Sequence, residues 1–226
     1  MREIKDPVCH IVGAGDFFGM IAPKSGDCVI AADGGLNHLE SISVSPDLIL
    51  GDFDSANMQD ERSYKCTVMR YSSHKDDTDM MLAVRQGLAR GYRSFMLYGG
   101  TGGRLDHTLA NVQCLNFLAE RGARAWLIGG DFIITVLAGG DTLRFPEDIP
   151  CVNGMPSLEA GCGVSVFAIG GDADGVSISG MQYPLSDSRL KSTVSLGVSN
   201  AIKDTAGEIS VREGSIAVYI GDNKIS

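Results

Sequence analysis

The first half of the chain carries acidic and glycine-rich clusters, each placed where a short apolar run stops, and this punctuation limits the fold more than any other feature. The clusters read AADGG (Ala31 to Gly35), LILGDFDS (Leu48 to Ser55), KDDTD (Lys75 to Asp79) and GGTGGRLDH (Gly99 to His107). A strand that ends at such a point delivers a loop to one edge of a sheet. Loops of this kind converging at one edge gather carboxylates and a glycine-lined cradle around one small space. That space suits a magnesium-bound phosphate, and it points to an enzyme.

The rhythm between the clusters sets the fold class. Val8 to Val12, Cys28 to Ala32, Leu48 to Leu50, Phe95 to Tyr98 and Arg124 to Ile128 read as strands. Helical segments alternate with them. A short one starts near Leu36, and a second, capped by Asp76 or Asp77, puts Met80, Met81, Val84 and Leu88 on one face. A third carries a stripe of Leu105, Leu109, Val112 and Leu115. Alternation of this kind predicts a mostly parallel sheet flanked by helices. Beyond Thr142 no helical stripe persists, and apolar residues alternate with others, as in Val164/Val166, Val176/Ile178 and Ile216/Val218/Ile220. Gly170-Gly171-Asp172 and Asp174-Gly175 read as turns. The expected architecture is an α/β domain over residues 1–140, followed by a smaller all-β antiparallel sandwich or barrel over 141–226.

Composition narrows the partners. A formal net charge of −9 over 226 residues argues against a nucleic-acid backbone, whose binding needs a basic surface. The six cysteines form no CxxC pair, which disfavours zinc or redox chemistry and suits small buried residues in a reducing cytosol. MREIKDP lacks an apolar signal core, and the run Phe132 to Ala138 is too short for a membrane span. A soluble, cytoplasmic protein without a membrane is the expectation.

Within the clusters, Asp52 and Asp54 are two apart, so at the end of an extended strand both carboxylates face one side. Such a pair suits a hard, oxygen-seeking cation; the competing reading is a turn with solvated aspartates. In KDDTD, capping uses one or two aspartates, and Asp79 inside the first turn can project toward the same metal, with Lys75 as a cation for phosphate. A heavily capped surface helix is the alternative. The glycines around Gly102 permit close approach of backbone to phosphate, although the order differs from a P-loop. Arg104 is the candidate phosphate fork, since guanidinium matches two oxygens. Asp106 and His107 orient the nucleotide or the loop, with Asp106 as a simple cap in competition. His10, His38 and Trp126 read as structural.

Together AADGG, PDLILGDFDS, KDDTDM and LYGGTGGRLDHTLAN, in this order and spacing, resemble the thiamine pyrophosphokinase family. GMQYPLSDSRLKSTVSLGVSNAI (Gly180 to Ile202) is similar to that family's thiamine-binding segment. The resemblance implies transfer of the pyrophosphoryl group of ATP to the hydroxyethyl oxygen of thiamine, giving thiamine diphosphate and AMP. It implies Mg2+ held by Asp52, Asp54 and Asp79, with Asp33 close by. Lys75, Thr78, Arg104 and Asp106 are implied as contacts to nucleotide or phosphates, and Ser199 and Asn200 as contacts to thiamine. Tyr183 falls where relatives often carry tryptophan. A homodimer with thiamine near the subunit interface is implied as well.

Two other readings compete. A magnesium-dependent phosphohydrolase of the haloacid dehalogenase type also places DxD after an apolar strand, its first aspartate acting as nucleophile. Here, however, GDFDS follows the third strand signal, and the DxD is not continued by Gly-Thr or Val-Thr. A non-enzymatic nucleotide or metal sensor is the other class, disfavoured by the density of acids.

Overall fold

The apolar runs of the first half become strands buried along their whole length, as strands covered on both faces must be. In the computed structural model these are β1 (Val8–Val12), β2 (Cys28–Ala32) and β3 (Leu48–Gly51), with Ile11, Ile30, Leu48, Ile49 and Leu50 fully buried. The structure describes residues 6–52, 64–72, 76–152, 158–204 and 206–221. They divide into two units, one spanning Lys5–Cys114 with Ala125–Gly129, the other Leu115–Arg124 with Gly130–Ser226.

In the first unit the strand order is β4-β3-β2-β1-β5-β6, where β4 is Thr67–Arg70, β5 is Ser94–Tyr98 and β6 is Arg124–Ile128. The pairs β1/β2, β2/β3, β3/β4 and β1/β5 are all parallel. From β1 the chain therefore steps outward through β2, β3 and β4, then returns to the other side of β1 as β5. The order reverses between β1 and β5, and in open parallel sheets that reversal opens a crevice beyond the strands' carboxyl ends. The four-residue β4, partly exposed throughout, has no counterpart among the sequence-predicted strands because it lacks their apolar run.

Among the described residues three helices connect these strands: α1 (Gly35–Ser41), α2 (Asp79–Ala89) and α3 (Leu105–Ala119). Two expectations need correction. The α2 cap is Thr78, whose hydroxyl accepts the Met81 N–H at 3.2 Å, while Asp77 pairs with Arg85 at 2.9 Å. The inward stripe of α3 is also displaced. Leu105 and Leu109 are 72% and 61% exposed, and the buried face runs through Asn111, Cys114, Leu115, Leu118 and Ala119. This set has the i, i+3, i+4, i+7 spacing of a buried face. A pattern built on apolar residues misses it because an asparagine occupies the first inward position.

The second unit is antiparallel. Its path is β7-β13-β9-β12-β8, with β7 at Phe132–Ala138, β8 at Thr142–Phe145, β9 at Gly163–Ser179, β12 at Gly207–Ser210 and β13 at Glu213–Gly221. The strands β10 (Leu185–Leu190) and β11 (Gly197–Ala201) both pair with β9. The first part of β9 pairs with β11 and most of β13, and its last part with β10 and β12. The expected turns at Gly170 to Gly175 instead lie inside this one long strand, where its register with β13 shifts. Gly170 (φ +76°) and Gly175 (φ +69°) supply backbone angles that favour glycine. A parallel sheet with helices, joined in the chain to an antiparallel β unit, is the architecture the sequence predicts. Among the described residues no helix is long and apolar enough to cross a membrane.

Candidate active site

Beyond the carboxyl ends of β1 and β5 lies a cleft of about 320 Å³, within the range of small-molecule sites. One wall is Gly13-Ala14-Gly15, directly after β1; the other is Gly99 to Arg104, directly after β5. Backbone bonds join the walls: Gly13 N–H donates to Tyr98 O (2.8 Å), Gly15 N–H to Gly99 O (2.8 Å), and Asp16 N–H to Thr101 O (2.9 Å). The approach is so close that a Cβ on Gly13 would stand 2.8 Å from Gly99 O, and one on Gly15 2.5 Å from Thr101 O. Only glycine fits there, because the two stretches of backbone approach each other too closely for a side chain.

Carboxylates stand beside the walls. Asp33 follows β2 with φ +49°, and its N–H donates to Leu50 O at 2.8 Å, which draws it against the end of β3. Its Oδ1 is buried without a hydrogen-bond partner among the described residues, and so is Thr101 Oγ1. Both residues line the cleft. Buried polar atoms are normally paired, so two orphaned oxygens in one cleft mark a place for a ligand. Asp52 follows β3 immediately, outside the cleft lining. Thr78 and Asp79, at the start of α2, line the cleft from another side. Asp54, Lys75 and His74 lie outside the described residues.

On the β5 side, Gly102 (φ +77°) lines the cleft with Arg104 and His107. Arg104 forks onto Asp106, Nε to Oδ1 at 3.1 Å and Nη2 to Oδ2 at 2.6 Å. This bond is the main reason the Asp106 carboxyl is pulled down to about 2 and the Arg104 guanidinium pushed up. Both side chains are solvent-exposed, so the pair is a local brace, with little weight in stability. Asp106 also accepts the His107 N–H at 3.0 Å.

Sequence reasoning missed Asn111, which is buried, lines the cleft and donates from Nδ2 to Gly100 O at 2.8 Å. A polar residue on the inward face of α3 is the signal that finds it. His38 was read as structural; its Nε2 lies 2.9 Å from Gly15 O.

The three candidates in the second unit sit together near β11. Tyr183 is 58% exposed. Ser199 holds φ +63° and donates its N–H to Ser165 Oγ at 3.1 Å. Asn200 is buried and braces the Tyr183 backbone, Oδ1 accepting its N–H at 2.9 Å and Nδ2 donating to its carbonyl at 2.7 Å.

Two domain families match the chain. The thiamin pyrophosphokinase catalytic domain covers residues 22–127, and the thiamin pyrophosphokinase vitamin B1 binding domain covers 155–216. The chain belongs to the thiamine pyrophosphokinase family. A curated relative, thiamine pyrophosphokinase of Bacillus subtilis, is 26% identical over 189 residues, spanning 82% of this chain and 83% of its own. Its crystal structure superposes with a TM-score of 0.79 at 23% identity, covering 95% of this chain and 98% of that one. Thiamin pyrophosphokinase from Geobacillus thermodenitrificans gives 0.75 at 25% identity, covering 95% and 97%. The Candida albicans enzyme gives 0.74 at 15%, covering 96% and 89%, so the fold persists where little sequence does. The dehalogenase-type alternative finds no support in these matches.

Proposed function

We propose that this family member binds ATP in the switch-point cleft and transfers its terminal pyrophosphoryl group to the hydroxyethyl oxygen of thiamine. The observation that carries the reading is the cleft itself: glycine walls in near contact, with the unpartnered oxygens of Asp33 and Thr101 beside them. The thiamine hydroxyl attacks the β-phosphorus, the bond to the α–β bridging oxygen breaks, AMP leaves, and the hydroxyl proton is released. Such transfers need mostly positioning and charge stabilisation.

Residues of the first unit do that work. The glycine walls bring main chain close to the phosphates, and Arg104 offers its two-pronged donor once it exchanges the Asp106 carboxylate for phosphate oxygens. Asp106 holds the guanidinium in readiness, and His107, Thr78 and Lys75 complete the nucleotide side. Asp52, Asp54 and Asp79, with Asp33, would hold Mg2+. Among the described residues no three His, Cys, Asp or Glu side chains are grouped to hold a metal, so the reading rests on the orphaned Asp33 oxygen and on the preference of a hard cation for carboxylates. When bound, the metal neutralises phosphate charge.

The proposed division of labour gives residues 1–140 the nucleotide and 141–226 the thiamine, through Tyr183, Ser199 and Asn200. A homodimer with thiamine near its interface is part of the reading. Phe167, Val194, Leu196 and Val198 support it, being exposed apolar residues on or beside β9 and β11 that a second copy would cover. The six cysteines are all free thiols, in keeping with a cytoplasmic setting.

The test is incubation with ATP, Mg2+ and thiamine. AMP and thiamine diphosphate appearing in equal amounts is the expected result. Phosphate release with a trapped aspartyl-phosphate would overturn it.

A further inference from the structure

Gly15 cannot be held by a side chain of its own, because a Cβ there would run into Thr101 O and Gly99 O. Only its main chain offers a handle. The N–H goes to Gly99 O, across the cleft, and so do the other two bonds of this wall, from Gly13 to Tyr98 and from Asp16 to Thr101. All three draw the β1 wall toward the β5 wall. The Gly15 carbonyl is bonded the other way, to His38 Nε2 at 2.9 Å. A carbonyl oxygen carries no proton, so Nε2 donates.

His38 is itself held in place. It sits on α1, and its ring stacks on Phe17 at 5.3 Å with an interplanar angle of 19°. Phe17 in turn leans on the buried Tyr98 ring at 6.0 Å. His38 is not part of the cleft lining. On the opposite wall, Asn111 does the matching task for Gly100 O.

We propose that His38 is a positioning residue for the nucleotide, fixing the Gly13–Gly15 wall from behind and so setting the width of the cleft. The inference rests on the reading of that cleft as the ATP site. Its signature is selective. Losing the anchor narrows or loosens the nucleotide wall and leaves the thiamine residues of the second unit untouched.

The experiment compares His38→Ala, His38→Gln and His38→Phe with the wild type. Binding of a nonhydrolysable ATP analogue with Mg2+ is measured by calorimetry, KM is measured for each substrate, and folding is checked by circular dichroism. His38→Ala should weaken analogue binding and raise the ATP KM about 10-fold, the scale of one hydrogen bond, with the thiamine KM moving less than about twofold. Glutamine restores a donor and should recover most of the affinity. Phenylalanine keeps the stack on Phe17 without the donor and should not. Should the alanine variant fail to fold, the contrast between glutamine and phenylalanine decides alone. Wild-type nucleotide affinity in the phenylalanine variant, or equal changes in both KM values, overturns the inference. Wild-type protein that does not bind the analogue overturns the nucleotide reading itself, and this inference with it.

Discussion

The two units carry their candidate residues in opposite ways. In the first, topology makes the site: strand order reverses between β1 and β5, and the loops there need only be small and polar to form a cleft. In the second, the candidates lie on the surface around β11, where exposed Tyr183 is held by buried Asn200. In the proposed function the first arrangement serves a ligand common to many enzymes, a phosphate chain. The second presents the exposed Tyr183 ring, which in the proposed function selects the acceptor. The proposed function thus separates chemistry from choice of substrate along the chain.

That separation can be broken from either side, and the largest effect belongs to the carboxylates. Asp52→Asn, and Asp33→Asn beside it, should each cut turnover by on the order of 10²-fold, the scale of losing one preorganised charge. AMP production under saturating substrates measures this, with circular dichroism as the check on folding. Near-normal turnover with Asp52 and Asp54 both replaced would remove the metal assignment. A middle-sized effect belongs to the second unit. Tyr183→Ala should raise the thiamine KM about 10-fold through loss of ring stacking while the ATP KM stays level. Equal changes in both would erase the division of labour.

The smallest effect sharpens the comparison inside the first unit. His10 is buried against Tyr98, its ring planes 24° apart, and burial pushes its pKa below the ordinary value while the Asp27 contact partly opposes this. The unfolded chain takes up a proton near pH 6.5 that the folded chain resists, so it binds more protons and stability falls as pH drops through that value. Asp27, held low by hydrogen bonds from the Val8 and Lys24 N–H groups and from His10, keeps its contribution until pH falls below its unfolded range near 4. Thermal melts from pH 7 to pH 5 should therefore decline in the wild type and flatten in His10→Phe. Parallel curves would show that His10 does not report on this core.

Much of the first unit was legible because its signals are local. Buried parallel strands read as continuous apolar runs, and glycine or aspartate marks where each one stops. The α3 face was misread because Asn111 faces inward to hold Gly100, and a count of apolar positions has no place for it. His38 was opaque for a different reason. Its partner is a backbone carbonyl, which has no letter in the sequence, on a segment that only the completed sheet brings near. The glycines inside β9 read as turns because glycines within a strand and glycines that reverse a chain look alike until the pairing partners are known.

The pairing of β1 with β5 has a consequence for how the protein comes into being. Gly13 and Gly99 face each other, yet β2, β3 and β4 are threaded between them in the chain. Long-range pairing of this kind must overcome loop-closure entropy before any contact offsets it, and it sets a slow step in folding. A nascent chain that ends before Ser94 has one wall and no cleft. On the proposed reading, nucleotide capture would report that β5 has docked, and ATP, by binding only the joined state, would stabilise the β1–β5 pairing against reopening.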